Sequence, residues 1–404
     1  MTNENLPLSG MKVVELGTHF AIPSVGRMLA DWGAEVVKVE APKGDQWRVV
    51  GKNQMCPIVD EENPFFMIPN ANKEFVALNL KDEDGKQALI KLIGTADIFM
   101  TNMRLKPLTK LGFDYETMKE LYPSLIYVHF TGYGYEGPDK DLPGFDSVAF
   151  WARSGAMLDW GTEGNFPFLA PTGAGDAMVG SILTAGVLAA VVGREHTGKG
   201  TLVSSSLMGS SIWYNSSCVV STQYGNHFPK DKDHPANPFG WQYQCADGEW
   251  LMIGVVDYAG TYAKIMPLMG YDDLVDDERF NTISAVQQHL DEFMPILRKG
   301  FMQRSRDEWV EAISAMNVVI GKIGHLKDLA HDPQAIANKF VEPVVFPSGN
   351  SVQMPTIPVG FSEYKTDERY DVKGAIGEDT RKVLSDIGYS DADIESMIER
   401  GAAK

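Results

Sequence analysis

A chain of 404 residues, 44% hydrophobic and 22% charged, can bury a large core; this excludes wholesale disorder and predicts two or three domains. A formal net charge of −18 repels polyanions and argues against nucleic-acid binding as the main role. The three cysteines (Cys56, Cys218, Cys245) are scattered, odd in number and never paired as C-x-x-C, so a reducing, cytoplasmic setting is expected.

The first ten residues are polar and do not read as a signal peptide. Residues 12–16 are a short β-branched run and predict a strand. Val25, Met28, Leu29 and Trp32 then recur at helical spacing, and Gly33 closes that helix. A strand over 35–39 follows at once. Residues 75–80 predict the next strand, Leu89, Leu92 and Ile93 a helix face stopped by Gly94, and 98–100 and 125–130 two further strands. This alternation predicts an α/β class with a Rossmann-like, mainly parallel sheet. Residues 131–175, rich in Gly, Pro and aromatics, read as a functional loop region. After Asp176 an Ala/Val/Leu helix is apolar nearly all round and is expected to be buried. Its longest apolar stretch, 182–193, is too short to cross a bilayer, so no membrane association is expected. The character changes over 220–330, with a β segment at 250–256 and a capping box Ser305-x-x-Glu308. The expected organisation is a large domain from 1–220 and 331–404 around a smaller α+β domain at 221–330. Helices at 380–387 and after the box Ser390-x-x-Asp393, separated by Gly388, close the chain.

Gly132-Tyr133-Gly134-Tyr135-Glu136-Gly137 matches G-x-G-x-x-G after a strand, but Pro138 and Pro143 stand where a phosphate-holding helix would have to start. Nicotinamide binding is therefore not expected. The eight histidines form no H-x-x-x-H pair and meet no cysteine at ligand spacing, which argues against a metal. No G-x-S-x-G elbow surrounds Ser204-Ser205-Ser206. Gly173-Ala174-Gly175-Asp176 places an acid after two glycines and before a long helix. Read locally, Asp176 is an N-cap or a nucleophile, and the two are compatible. Near its free pKa of about 3.9 it would be fully ionised at neutral pH, with the helix dipole favouring the charge.

Further segments widen the pattern. Residues 8–16, 29–40, Gly44-Asp45, Asn70-Ala71-Asn72-Lys73, Gly132-Tyr133-Gly134 with Gly137-Pro138, Thr197-Gly198-Lys199-Gly200, Asp247-Gly248 and the closing helix pair together resemble the class III CoA-transferase (CaiB/BaiF) family, in order and over nearly the whole chain. The resemblance implies a large α/β domain built from both chain ends, a smaller central domain and an interlocked homodimer. It places Asp176 on the catalytic aspartate, and His19, Lys73, Asn102, Met103 and Lys110 on positions that line the coenzyme A site. Arg104 and Lys43 join Lys73 and Lys110 as candidates for the CoA phosphates, and main-chain N–H groups around Gly173 and Gly175 as candidates for oxyanion stabilisation.

The pattern also departs from relatives. Ala21 stands where some carry a glutamine that holds intermediates, Lys110 stands for an arginine, and no glycine-rich tetrad occurs between Tyr224 and Val256, so oxalate and formate are not expected. The α-methylacyl-CoA racemases, which share the fold, need a histidine in Gly-His-Asp; here the triplet is Gly144-Phe145-Asp146, and phenylalanine carries no proton. Residues 137–146 resemble the branch that activates 2-hydroxy acids in anaerobic amino-acid fermentation. The reading is an acyl-CoA:2-hydroxy acid CoA-transferase, drawing on an enoyl-CoA and an aspartyl–CoA thioester. A racemase-like epimerase and a non-catalytic CoA-binding subunit are the alternatives. Phe20, Trp47, Trp151 and Phe145 are candidates to shape an apolar pocket.

Overall fold

The computed structural model describes residues 6–56, 58, 62–346, 348–366, 370–371 and 374–404. Two compact units are present: Met1–Ala156 with Leu169–Val220 and Ala330–Lys404, and Met157–Phe168 with Ser221–Leu329. Met157–Phe168, which the sequence suggested belongs to the large domain, groups instead with the second unit, where Glu163 N–H donates to the Lys230 carbonyl.

The first unit is built on β1 (Lys12–Leu16), β2 (Glu35–Glu40), β3 (Glu74–Ala77), β4 (Ile98–Thr101), β5 (Ile126–Thr131) and β6 (Leu202–Ser206), in the order β3-β2-β1-β4-β5-β6. Every pairing is parallel. Parallel strands have helices on both faces, so their residues are apolar without alternation. That is why β1 after Lys12, all of β4 and nearly all of β5 are buried. The core beside the sheet gathers Val14, Leu89, Phe99 and Tyr127 with Leu384 and Ile394 from the chain's end. β1 and β4 flank the point where the strand order reverses; ligands of open α/β sheets sit outside the carboxyl ends of the strands there.

The second unit is an α+β body, with an antiparallel sheet of β7 (Gln242–Gln244), β8 (Trp250–Ile253) and β9 (Ile320–Lys322), and an aromatic core around Tyr243, Tyr262, Phe293 and Trp309. Both expected capping boxes are formed, Ser305 with Glu308 and Ser390 with Asp393. In the first unit, residues 132–145 hold no helix, and a π-helical turn spans Asp146–Ala152.

Two expectations about the long apolar helix need correcting. It runs from Ala174 to Thr197, long and apolar enough by length and composition to cross a bilayer, so length does not exclude spanning. Nor is it buried all round within the chain. Val179, Leu183 and Val187 pack inward, whereas Val192 is more than half exposed.

Candidate active site

The Ala174–Thr197 helix starts one turn earlier than its apolar run suggests. Gly173 is its N-cap, with φ +75°, and Asp176 is the third helical residue, so Asp176 is not the cap. A residue with a Cβ would be strained at 173, and that Cβ would press on Trp47 and Phe20. At 175 a Cβ would overlap the Asp146 carboxylate and the Phe150 ring. The two glycines thus make room for the protein's own side chains. The N–H groups of Gly173, Gly175 and Asp176 face Asp146, as does the Trp151 indole. The amides expected to serve oxyanions are, in this structure, turned to that carboxylate.

The outcome is a pair of carboxyl groups. Asp176 is only 8% exposed, and burial, reinforced by the negative Asp146, pushes its pKa up to about 8. Burial raises Asp146 to about 6, against the pull of its N–H donors. The expectation of a fully ionised Asp176 at neutral pH therefore fails: desolvation and a like charge outweigh the helix dipole. The two groups titrate as a pair that holds about one proton between them at pH 7.

The Asp176 carboxyl faces a cleft of about 520 Å³ whose walls include His19, Trp47, Asn102, Arg104 and Phe145. His19 adopts φ +64° and stands edge-on to Phe145 with ring centres 5.3 Å apart. Burial lowers its pKa, so the ring is neutral at pH 7. Asn102, just past β4, clasps the loop after β1: its Oδ1 accepts from Thr18 N–H at 3.0 Å and its Nδ2 donates to Thr18 O at 2.7 Å. Thr18 lines this cleft and also a second one of about 740 Å³ along the carboxyl ends of β1 to β4. That second cleft is apolar inside, with Leu16, Val39, Leu78 and Met103, and carries Lys81, Lys86 and Lys110 on its wall. Arg104 and Lys110 are exposed and form no ion pair among the described residues, leaving both available to an anion.

Lys73 is a correction. Its side chain is fully buried, with Nζ donating to Glu15 (2.7 Å), the Pro23 carbonyl (2.8 Å) and Asn70 (3.0 Å), so it cannot reach a phosphate. Lys43 is exposed outside both clefts. Of the aromatic candidates, Trp47 and Phe145 reach the cleft, Phe20 backs Trp47 at 5.3 Å, and Trp151 is buried beneath Asp146. The residue that sequence reasoning missed is Asp146, noticed only as the third member of Gly144-Phe145-Asp146. No group of His, Cys, Asp or Glu able to hold a metal occurs among the described residues.

A helix-borne carboxyl at the head of a cleft at the sheet's reversal point fits the comparisons with known proteins. The model of CoA-transferase family III matches residues 8–380. The chain belongs to that family. As a family III member it transfers coenzyme A, which is its co-substrate. It is 36% identical to (R)-2-hydroxy-4-methylpentanoate CoA-transferase of Clostridioides difficile, over 96% of this chain and 98% of the relative. It is 37% identical to cinnamoyl-CoA:phenyllactate CoA-transferase of Clostridium sporogenes, over 98% and 97% respectively. Among solved structures, a CAIB/BAIF family protein from Brucella suis superposes with a TM-score of 0.81 at 28% identity, covering 95% of this chain and all of that one.

Proposed function

We propose that this family III member moves CoA from an acyl-CoA, an enoyl-CoA in particular, onto a 2-hydroxy carboxylic acid, with Asp176 as the group that is covalently acylated. The two relatives named above act on such acids, and the observation that carries the reading is the Asp176 carboxyl, buried at the head of a cleft that shares Thr18 with the larger cleft beside it. In this reading CoA lies in the larger cleft, with Lys110 and Arg104 toward its phosphates, and its sulfur passes Thr18, Asn102 and Met103 to reach Asp176.

The steps balance without a metal or an external acid. The ionised Asp176 carboxylate attacks the thioester carbonyl through one oxygen, the C–S bond breaks, and a mixed anhydride and CoA thiolate result. The thiolate attacks the Asp176 carbonyl carbon and expels the donor acid, leaving an aspartyl–CoA thioester. The incoming carboxylate attacks that same carbon and releases the thiolate. The thiolate then takes the new acyl group and returns Asp176 as a carboxylate. Each bond broken matches one formed, which conserves the thioester energy. Asp146 sets the starting condition: a carboxylate beside a like charge in a poorly solvated site is less stable, hence more nucleophilic, than one in water. Holding the thiolate next to the anhydride replaces a bimolecular encounter and keeps water from competing. The apolar side of the Ala174–Thr197 helix left open, together with exposed Trp213, supports the proposal of a homodimer, and the three scattered cysteines support the proposal that it works in the cytoplasm.

Intact-mass measurement after mixing the protein with an acyl-CoA, beside deuterium exchange at the α-carbon of a saturated acyl-CoA, tests this reading. A CoA adduct mapped to Asp176 supports it, α-proton exchange without an adduct replaces it with epimerisation, and neither outcome leaves a CoA-binding role. A panel of 2-hydroxy acids then identifies the acceptor.

A further inference from the structure

The first unit contains a chain of buried charges that the reaction does not use. Lys38, on β2, is fully buried; its ammonium donates to Glu15 (3.0 Å) and the Gly17 carbonyl (2.8 Å) and forms an ion pair with Asp45 Oδ2 at 3.0 Å. Asp45 Oδ1 in turn accepts from His19 N–H at 3.0 Å and Trp47 N–H at 2.9 Å. The Asp45 amide donates to Glu40 at 2.8 Å, and Glu40 is held by Arg48. A hydrophobic residue at 38 would fill the same space, so the ammonium is not there for packing alone.

What it anchors is the wall of the Asp176 cleft. Three successive main-chain residues of the loop after β1 are gripped from β2 and from the loops that follow β2 and β4: Gly17 O by Lys38, Thr18 by Asn102, and His19 N–H by Asp45. His19 is held at φ +64°, a region a non-glycine residue leaves unless its surroundings hold it there. Trp47 is fixed at both ends, its amide on Asp45 and its indole N–H on the Phe65 carbonyl at 2.9 Å. We infer that the Lys38–Asp45 ion pair is a positioning device that sets His19 and Trp47 around the Asp176 carboxyl, so that the reacting acyl group is held in line for attack. Asp45 is the group that orients, and Lys38 keeps its carboxylate ionised and pinned. This inference rests on the reading of Asp176 as the acylated group.

The test compares native protein with Asp45→Asn, which keeps an oxygen for the two amides but loses the ion pair, and with Asp45→Ala, which loses both. Each is mixed with acyl-CoA well below its own unfolding midpoint, and the rate at which the adduct forms on Asp176 is followed by acid quench and intact mass. Asp45→Asn is expected to load about tenfold more slowly, and Asp45→Ala more slowly still, with kcat falling more than KM rises. Loading at the native rate by folded variants overturns the inference, and a lowered unfolding midpoint alone then marks a purely structural pair. If Asp45→Ala does not fold, the isosteric Asp45→Asn decides by the same criterion. If the native protein forms no adduct, the reading of Asp176 is what has failed; the comparison then moves to kcat, where equal values overturn the positioning role.

Discussion

Beneath the Ala21–Asp31 helix, Glu15 and Asp45 meet Lys38 and Lys73, whereas at the start of the Ala174–Thr197 helix Asp146 and Asp176 meet each other. Both groups are removed from water. In the first, opposite charges interleave: Lys38 is held firmly protonated by its acids, and Gly26 gives up a Cβ that would overlap Glu15. In the second, no cation among the described residues is paired with either acid, and burial leaves the pair sharing a proton near neutrality. The contrast separates buried charge that holds a shape from buried charge kept ready to react.

Removing the reacting group should have the largest effect. Asp176→Ala is expected to lower kcat about 10⁴-fold or more in a CoA-transfer assay, because it removes the group proposed to carry the acyl group. In the compensated cluster the loss should be of stability. Lys38→Met leaves Glu15 and Asp45 with too little counter-charge and should cost about 3–5 kcal/mol by urea denaturation. Lys73→Met should cost clearly less, since burial pushes that ammonium down to about 7 and Lys38 still partners Glu15. If the two lysine variants prove equal, the cluster is not graded in this way.

The uncompensated pair should behave in the opposite sense. Because the folded protein holds the Asp176 proton more tightly than the unfolded chain does, unfolding releases that proton between pH of about 4 and 8, and stability falls as pH rises through this window. Asp176→Asn should therefore stabilise the protein at pH 8, by about 1–3 kcal/mol, while abolishing turnover. The smallest effect is on the pH profile. With free enzyme, kcat/KM should rise with pH toward an inflection near 8, as Asp176 ionises. Asp146→Asn removes the like charge and should move that inflection to lower pH. An unmoved inflection would mean that the two carboxyls do not interact.

The sheet was legible because parallel strands covered on both faces leave continuous β-branched runs such as residues 12–16 and 98–100. Asp176 was legible from the resemblance and from its glycines, but not its protonation, which depends first on burial and then on a carboxylate thirty positions earlier in the chain, delivered by a π-helical turn without a sequence signature. Lys73 read as a candidate for the CoA phosphates because its true partner, Glu15, lies 58 residues away. The helix start was misplaced for a local reason: a left-handed Gly173, not an acid, caps it.

The first unit draws on both ends of the chain, and this has a consequence during synthesis. Phe75 N–H on β3 donates to Asp379 at 2.9 Å, and Lys404 N–H reaches the Ala77 carbonyl at 3.1 Å, so this edge finds its covering only after 304 further residues have been made. At ordinary translation rates that is a wait of roughly 15–60 s. Meanwhile residues 221–329 emerge in one piece, free to fold ahead of the sheet. The nascent chain therefore holds a bare, apolar strand at the ribosome, where a chaperone would have the most to protect.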